Sequence, residues 1–134
     1  MIANAYRIGG VHWRDDKRLW MTFIGRGFQR YALIELNAET GESRTIAEEK
    51  DEKFIHMFEK CGWWDLGGGK LLWRSESSGW SQLYIIDIVS GQRRQLTADP
   101  GVVRGVEHVS GDEIIYQLSG HKNSEDPYHL HWAT

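Results

Sequence analysis

The chain has 134 residues, with 16 Lys and Arg against 19 Asp and Glu, and a net charge of −3. So short and mildly acidic a chain holds about one domain and lacks the clustered positive charge of nucleic-acid or membrane-surface binders. Seven Trp, five Tyr and four Phe stand beside 15 Gly and two Pro. This composition favours many short strands with tight turns and excludes a disordered chain, while the single cysteine excludes an internal disulfide.

Taken in chain order, the apolar segments predict short strands in three successive units. The first unit holds residues 6–13, 19–24, 30–36 and 44–46, and the second holds 54–64, 71–73, 81–87 and 94–96. The third holds 102–109, 113–116 and 128–132. Apolar residues alternate with period two in these segments, as in half-buried strands. The charged stretch 47–53 is interpreted as a solvated connector between units.

The units repeat one another. The pattern around Leu33 and Gly41 returns fifty residues later around Leu83 and Gly91, and Leu83 falls on Leu130 after 47 more. A repeat of this length is typical of a four-stranded propeller blade. We therefore predict an all-β fold of antiparallel four-stranded blades, with boundaries near 5–47, 54–97 and 102–133. Eleven strands fall short of the roughly 4–8 blades that close a ring, so the predicted propeller is partial and open.

The second unit resembles a blade of the N-terminal β-propeller of the dipeptidyl peptidase IV family. That family typically reads W-x-S-E-R-D-G-W-x-H-L-Y-x-Y-D, and residues 73–87 here read WRSESSGWSQLYIID. Gln82 replaces the family histidine. A glycine in the hairpin permits positive φ, an aspartate can bond back to the next turn, and the two tryptophans can cover the gap between blades. We interpret these motif residues as structural: Trp73, Glu76, Gly79, Trp80, Leu83, Tyr84, Asp87 and Gly91.

The resemblance implies a function for the chain. It looks like a fragment of the substrate-gating propeller of a serine exopeptidase that removes N-terminal dipeptides, with a parent often found in the periplasm or outside the cell. Counting back from Trp73, the family's substrate-facing aromatic and arginine fall on Phe58 and Glu59, where the acid reverses the expected charge. The family's paired glutamates have no match. The alternative is a TolB-like or stand-alone propeller module that binds a protein or carbohydrate.

Catalytic and cofactor motifs are not found in the sequence. No G-x-S-x-G nucleophile motif is present, so we expect no catalytic residue and no enzyme activity from this chain alone. Residues 67–70, GGGK, lack the spacing of a phosphate loop and are interpreted as a turn. His129 and His131 share a strand face near His121, but a polar strand face explains them, so we expect no metal and no cofactor.

The expected partners follow from the predicted fold. A peptide substrate would bind only in the full-length enzyme, and we expect neither nucleic acid nor a membrane, since no apolar run approaches about 20 residues and the N-terminus lacks a signal-peptide pattern. An open propeller leaves blade faces bare, so a homo-oligomer is predicted, with a twofold dimer favoured over a closed ring. We expect these bare faces to carry residues 19–21 at one end and 114–116 at the other.

Overall fold

The computed structural model describes residues 5–56, 61–98, 100–120 and 130–134. Those residues form eleven strands and no helix, so no helix in that part of the chain could cross a bilayer. The first sheet contains β1 (Ala5–Trp13), β2 (Arg18–Gly25), β3 (Arg30–Asn37) and β4 (Ser43–Lys50). The second contains β5 (Gly62–Gly67), β6 (Lys70–Ser75), β7 (Gln82–Asp87) and β8 (Arg93–Gln95). The third contains β9 (Val102–Ser110), β10 (Glu113–Ser119) and β11 (Leu130–Ala133).

Each sheet is an antiparallel meander in which strands adjacent in sequence are adjacent in space. The predicted fold class, all-β with antiparallel blades of a partial propeller, is confirmed. The chain packs as two compact units, Met1–Met57 with the first sheet and Phe58–Thr134 with the second and third. Three sheets remain below the roughly 4–8 blades of a closed propeller.

The two largest differences from the predicted strand boundaries lie at the end of β4 and the start of β5. The stretch 47–53 begins as strand rather than connector, because Ala47 is buried opposite Leu33 and the Glu48 carboxylate accepts a hydrogen bond from Arg30 Nε at 2.9 Å. The strand therefore runs to Lys50. In the second sheet, β5 begins at Gly62, while residues 51–56 lie outside any strand.

The fifty-residue repeat is visible in the hydrogen bonds of two turns. Asn37 Oδ1 and Asp87 Oδ1 each accept the backbone N–H groups two and three residues ahead. Gly41 and Gly91 then donate to the carbonyls of Asn37 and Asp87, at 2.8 Å in both turns, with φ of 74° and 73°. The two turns thus share one construction in which glycine supplies the left-handed backbone.

Two apolar clusters form the core. One lies on a face of the first sheet and comprises Leu19, Met21, Phe23, Ala32 and Ile34. The other joins the second and third sheets and comprises Leu72, Leu83, Val103, Tyr116 and Leu118. The fully buried tryptophans are Trp20 in β2 and Trp73 in β6.

The residues predicted to lie on bare blade faces are placed differently. Leu19, Trp20, Met21 and Tyr116 are buried, because β2 and β10 are interior strands of their sheets. Exposed apolar side chains lie instead on the edge strands β1 and β11, and at Phe54, Trp80, Val89 and Leu96 outside the strands. Those on the edge strands are Tyr6, Ile8, Val11, Trp13, Leu130 and Trp132.

Candidate functional site

The blade motif of the second sheet occupies β6, β7 and the connection between them. Trp73 is fully buried and pairs across the sheet with Tyr84. Gly79 has a φ of 99° and its N–H donates to the Glu76 carbonyl at 2.8 Å. Trp80, in contrast, is 65% exposed and lies at the surface of this chain rather than covering a gap between sheets. Its indole is available to a partner.

Several predicted positions lie outside the residues that the structure describes. They are the substrate-facing pair Phe58 and Glu59, and the histidines His121 and His129. His131 lies on β11 and is half-buried. Within the described residues no three His, Cys, Asp or Glu side chains group as metal ligands would. The substrate-facing pair and the expectation of no metal therefore stay predictions.

A cleft of about 590 Å³ opens between the second and third sheets. This volume falls within the range of about 300–1,000 Å³ that is usual for small-molecule sites. Its charged lining consists of Lys70, Arg94 and Asp112, and its apolar lining consists of Leu66, Ile85, Leu96, Ile114 and Tyr116. Two cationic side chains thus share a cleft with an apolar floor and one acidic side chain, and Thr134 also lines it.

The strand register explains why the two cations share the cleft. Leu72 of β6 pairs with Ile85 of β7, which pairs with Arg94 of β8. Lys70 lies two residues before Leu72, so its side chain extends from the same face. On that face, Leu72 belongs to the same apolar cluster as Tyr116 of the third sheet. The cleft therefore lies where the apolar core gives way to Lys70 and Arg94.

Buried polar contacts join the sheets that form the walls of this cleft. Arg74 in β6 is 6% exposed, and its guanidinium donates to the carbonyls of Arg104 at 2.9 Å and Cys61 at 3.3 Å. The Val103 N–H donates to the Ser81 carbonyl at 2.9 Å. Buried hydrogen bonds of this kind are costly to break, so the walls are held together independently of any occupant.

The first sheet contains the same arrangement with an acid at its centre. Trp20 pairs with Glu35, which pairs with Arg44, just as Leu72 pairs with Ile85 and Ile85 with Arg94. Glu35 is 8% exposed and accepts hydrogen bonds from Trp20 Nε1 at 2.9 Å and Arg44 Nε at 2.8 Å. Arg18 corresponds to Lys70, because Arg18 pairs with Asn37 and Lys70 with Asp87.

The electrostatics of Glu35 show what these cations do to a carboxylate. Burial by itself would raise the pKa of Glu35, but hydrogen bonds from Arg44 and Trp20 and the charges of Arg44 and Arg18 outweigh it. The pKa of Glu35 consequently lies below its ordinary value. This position of the first sheet is a carboxylate site that the chain itself occupies.

The second sheet keeps the cations and lacks the acid. Ile85 stands in the place of Glu35, and within the described ranges neither Lys70 nor Arg94 forms an ion pair. Lys70 lies near enough to Asp87 to help lower the pKa of that carboxyl, although hydrogen bonds from Ser90 contribute most to the shift. Sequence reasoning missed this site, yet a signal was present: Glu35 and Arg44 fall fifty residues before Ile85 and Arg94.

Comparisons with known proteins agree with the blade architecture. Residues 1–131 match the family described as the dipeptidyl peptidase IV (DPP IV) N-terminal region. The chain belongs to this family. The resemblance found in the sequence is thereby confirmed. One solved structure with the same fold is a Bacteroides ovatus protein provisionally described as a dipeptidyl aminopeptidase IV, with a TM-score of 0.65 and 20% identity. The match covers 84% of this chain and 19% of that one, so this chain spans about a fifth of that protein.

Proposed function

We propose that this chain is a segment of the substrate-gating propeller of a dipeptidyl peptidase IV-like serine exopeptidase and performs no catalysis of its own. The observation that carries the proposal is membership of the N-terminal-region family over residues 1–131. Rigid sheets of this kind can admit a flexible peptide end and hold it in one orientation before a reactive group. The hydrolase that would complete the enzyme belongs to the parent protein.

The absence of a helix among the described residues and the burial of three of the serines support a non-catalytic role. A serine nucleophile of an α/β-hydrolase sits on a strand-to-helix turn, and the described residues contain no helix. Ser75, Ser81 and Ser119 are at most 1% exposed. A hydroxyl so deeply buried cannot reach a peptide carbonyl.

The substrate-facing positions in this proposal are Phe58 and Glu59. An aromatic ring can pack against an apolar peptide side chain, and a carboxylate attracts a cationic group such as a free peptide amine. Replacing Glu59 with Arg in the complete enzyme should therefore raise the KM for dipeptide substrates with a free N-terminus. An unchanged KM would remove Glu59 from the proposed site.

An activity assay tests the absence of catalysis. The purified chain should not cleave Gly-Pro or Ala-Pro chromogenic substrates, whereas the product of the complete source reading frame should cleave them. Turnover by the 134-residue chain that survives purification and is blocked by a serine-directed phosphonate would contradict the proposal.

A stand-alone binding module is the second candidate. The observation that favours it is the exposure of three tryptophans: Trp13 at 55%, Trp80 at 65% and Trp132 at 66%. Exposed aromatic side chains supply much of the binding energy at protein interfaces. A source reading frame that encodes no hydrolase domain would favour this candidate over the first.

We also propose that the isolated chain forms a homodimer. Edge strands with exposed apolar side chains are places where another chain can pair, and among the described residues β1 and β11 lie at sheet edges and carry such side chains. A twofold dimer is the commonest way to cover such surfaces. Light scattering at micromolar concentration should give twice the 15.5 kDa monomer mass. A monomer at that concentration would overturn the proposal.

A further inference from the structure

We propose that the cleft between the second and third sheets binds a carboxylate carried on a small apolar body. The carboxylate would take the position that the Glu35 carboxylate takes in the first sheet. This inference goes beyond the gating role, which does not require a ligand in the cleft.

The first and second sheets place cationic side chains at equivalent register positions. In the first sheet Arg44 Nε bonds the Glu35 carboxylate at 2.8 Å, while Arg18 is ion-paired with Asp15 and acts on Glu35 only through its charge. Lys70 and Arg94 occupy the register positions of Arg18 and Arg44 in the second sheet. Because Ile85 replaces the acid, the second sheet offers two cations and no carboxylate of its own between them. The first sheet thus shows which anion this arrangement accommodates.

The composition of the cleft supports the same ligand. An arginine can bind a carboxylate through two parallel N–H donors, and a lysine adds a compact positive charge. Ile85, Ile114 and Tyr116 provide an apolar floor for the remainder of the ligand. Asp112 also lines the cleft and offsets part of the positive charge. That offset favours a singly charged carboxylate over a phosphate, which carries nearly two charges and has no apolar body.

The binding test uses the full chain and 3-phenylpropionate, followed by NMR titration of backbone amides. We expect saturable shifts at Lys70, Arg94 and Ile114, with a dissociation constant of about a millimolar, as suits so small a ligand. The neutral analogue 3-phenylpropionamide and inorganic phosphate should bind at least about tenfold more weakly, since one lost charged hydrogen bond is worth about that factor. Equal binding of the amide would overturn the proposal, as would equal binding of phosphate.

Matched variants locate the site. Lys70→Gln or Arg94→Gln should each weaken binding of 3-phenylpropionate about tenfold. Arg93→Gln is the control, because Arg93 neighbours Arg94 on β8 but points to the other face, where its guanidinium lies 4.0 Å from the Tyr84 ring centroid. Equal weakening by Arg93→Gln, or no weakening by the two cleft variants, would contradict the proposal.

A final variant fills the site from within. Ile85→Glu places a carboxylate on β7 between Lys70 and Arg94, and binding of 3-phenylpropionate should be lost while the amide spectrum stays folded. Ile85→Gln, of the same size and without charge, should retain binding. Retained binding in Ile85→Glu would show that the ligand lies elsewhere.

Discussion

The first and second sheets have equivalent strand registers and the same kind of turn, but the equivalent arginine has a different neighbour in each sheet. In the first sheet, Arg44 bonds to the buried Glu35, and in the second sheet the equivalent Arg94 pairs across the ladder with Ile85. Both places border a cavity, of about 500 Å³ in the first sheet and about 590 Å³ in the second, so the difference at this position of the third strand is whether an internal carboxylate bonds the arginine. The repeat preserves the scaffold, while individual positions on it can acquire separate chemistry.

The two sheets also end differently. β4 pairs with β3 from Ser43 to Lys50, whereas β8, which occupies the same place in the second sheet, has only three residues. After β8, the Leu96 N–H still donates to the Leu83 carbonyl at 2.8 Å, but the Leu83 N–H bonds to a side chain: Thr97 Oγ1 accepts it at 2.9 Å and donates to Gln82 Oε1 at 2.6 Å. Gln82 Nε2 then donates to the Gly101 carbonyl at 2.8 Å. The second sheet therefore depends on two buried polar side chains where the first depends on main-chain pairing.

The largest expected effect comes from removing the acid of the first sheet. Glu35→Ala removes the carboxylate that accepts hydrogen bonds from the buried Trp20 Nε1 and from Arg44 Nε. We expect a loss of about 2–3 kcal/mol in the stability of this sheet, because an abandoned buried donor costs about 1–3 kcal/mol and Arg44 is partly screened by solvent. Hydrogen exchange of the Trp20 indole proton measures this loss of stability. Glu35→Gln, which retains an acceptor, should lose less, and equal losses would contradict this account.

The next effect tests the side-chain ladder of the second sheet. Thr97→Val removes the acceptor of the Leu83 N–H, and stability should fall by about 1–2 kcal/mol. Thr97→Ser keeps the hydroxyl and serves as the control. Amide exchange at Leu83, measured by NMR, should rise in the valine variant only. If the Leu83 amide exchanges as fast in the serine variant as in the valine variant, the hydroxyl does not protect this amide.

Acid should loosen the first sheet before the second. Burial would raise the pKa of Glu48, but hydrogen bonds from Lys50 and Arg30 outweigh it, so the pKa values of both Glu48 and Glu35 are lowered. Stabilisation from such groups is present above the ordinary glutamate pKa of about 4.3 and is lost as the pH falls through the folded value. Hydrogen exchange at decreasing pH, corrected for intrinsic rates, should show β3 losing protection ahead of β7. The reverse order would refute the prediction.

The smallest effect concerns the shared turn. Asn37→Asp and Asp87→Asn exchange the two acceptors, and each variant should keep its turn, because the same Oδ1 accepts the same backbone N–H groups. Asp87→Asn should also remove an acid-dependent contribution, since backbone and side-chain hydrogen bonds from Ser90 lower the pKa of Asp87. Thermal melts at neutral and acidic pH measure both effects. A large loss at neutral pH in either variant would show that the turns are not equivalent.

Strand number, sheet order and the repeat could be predicted from the sequence, because period-two alternation and the glycine turns are local signals. The end of β4 could not, since the charges of Glu48 and Lys50 suggest a solvated connector while Arg30 pairs with Glu48 across the ladder. The exposed position of Trp80 was also not predictable, because the family motif in which it lies suggests a tryptophan that covers the gap to a neighbouring blade.

The cleft was missed for a different reason. Arg94 appears in the sequence only as the first residue of 94–96 (RQL), which repeats 44–46 (RTI), and Lys70 as the end of the glycine turn 67–70. Their meeting depends on strand register: Lys70 corresponds to Arg18 at a spacing of 52 residues, while Arg94 corresponds to Arg44 at fifty. A search with a fixed repeat of fifty residues therefore does not align Lys70 with Arg18, whereas the strand pairing does.

The central claim is that one carboxylate site occurs twice in this chain, occupied by Glu35 in the first sheet and open in the second. Titration of carboxyl carbons by NMR in the Ile85→Glu variant tests it most directly. The account predicts that the introduced carboxyl titrates below the ordinary glutamate pKa of about 4.3, as Glu35 does, and that Lys70→Gln or Arg94→Gln in the same background raises that pKa. An introduced carboxyl that titrates at or above about 4.3 would show that burial outweighs the two cations, and the equivalence of the two sites would be contradicted.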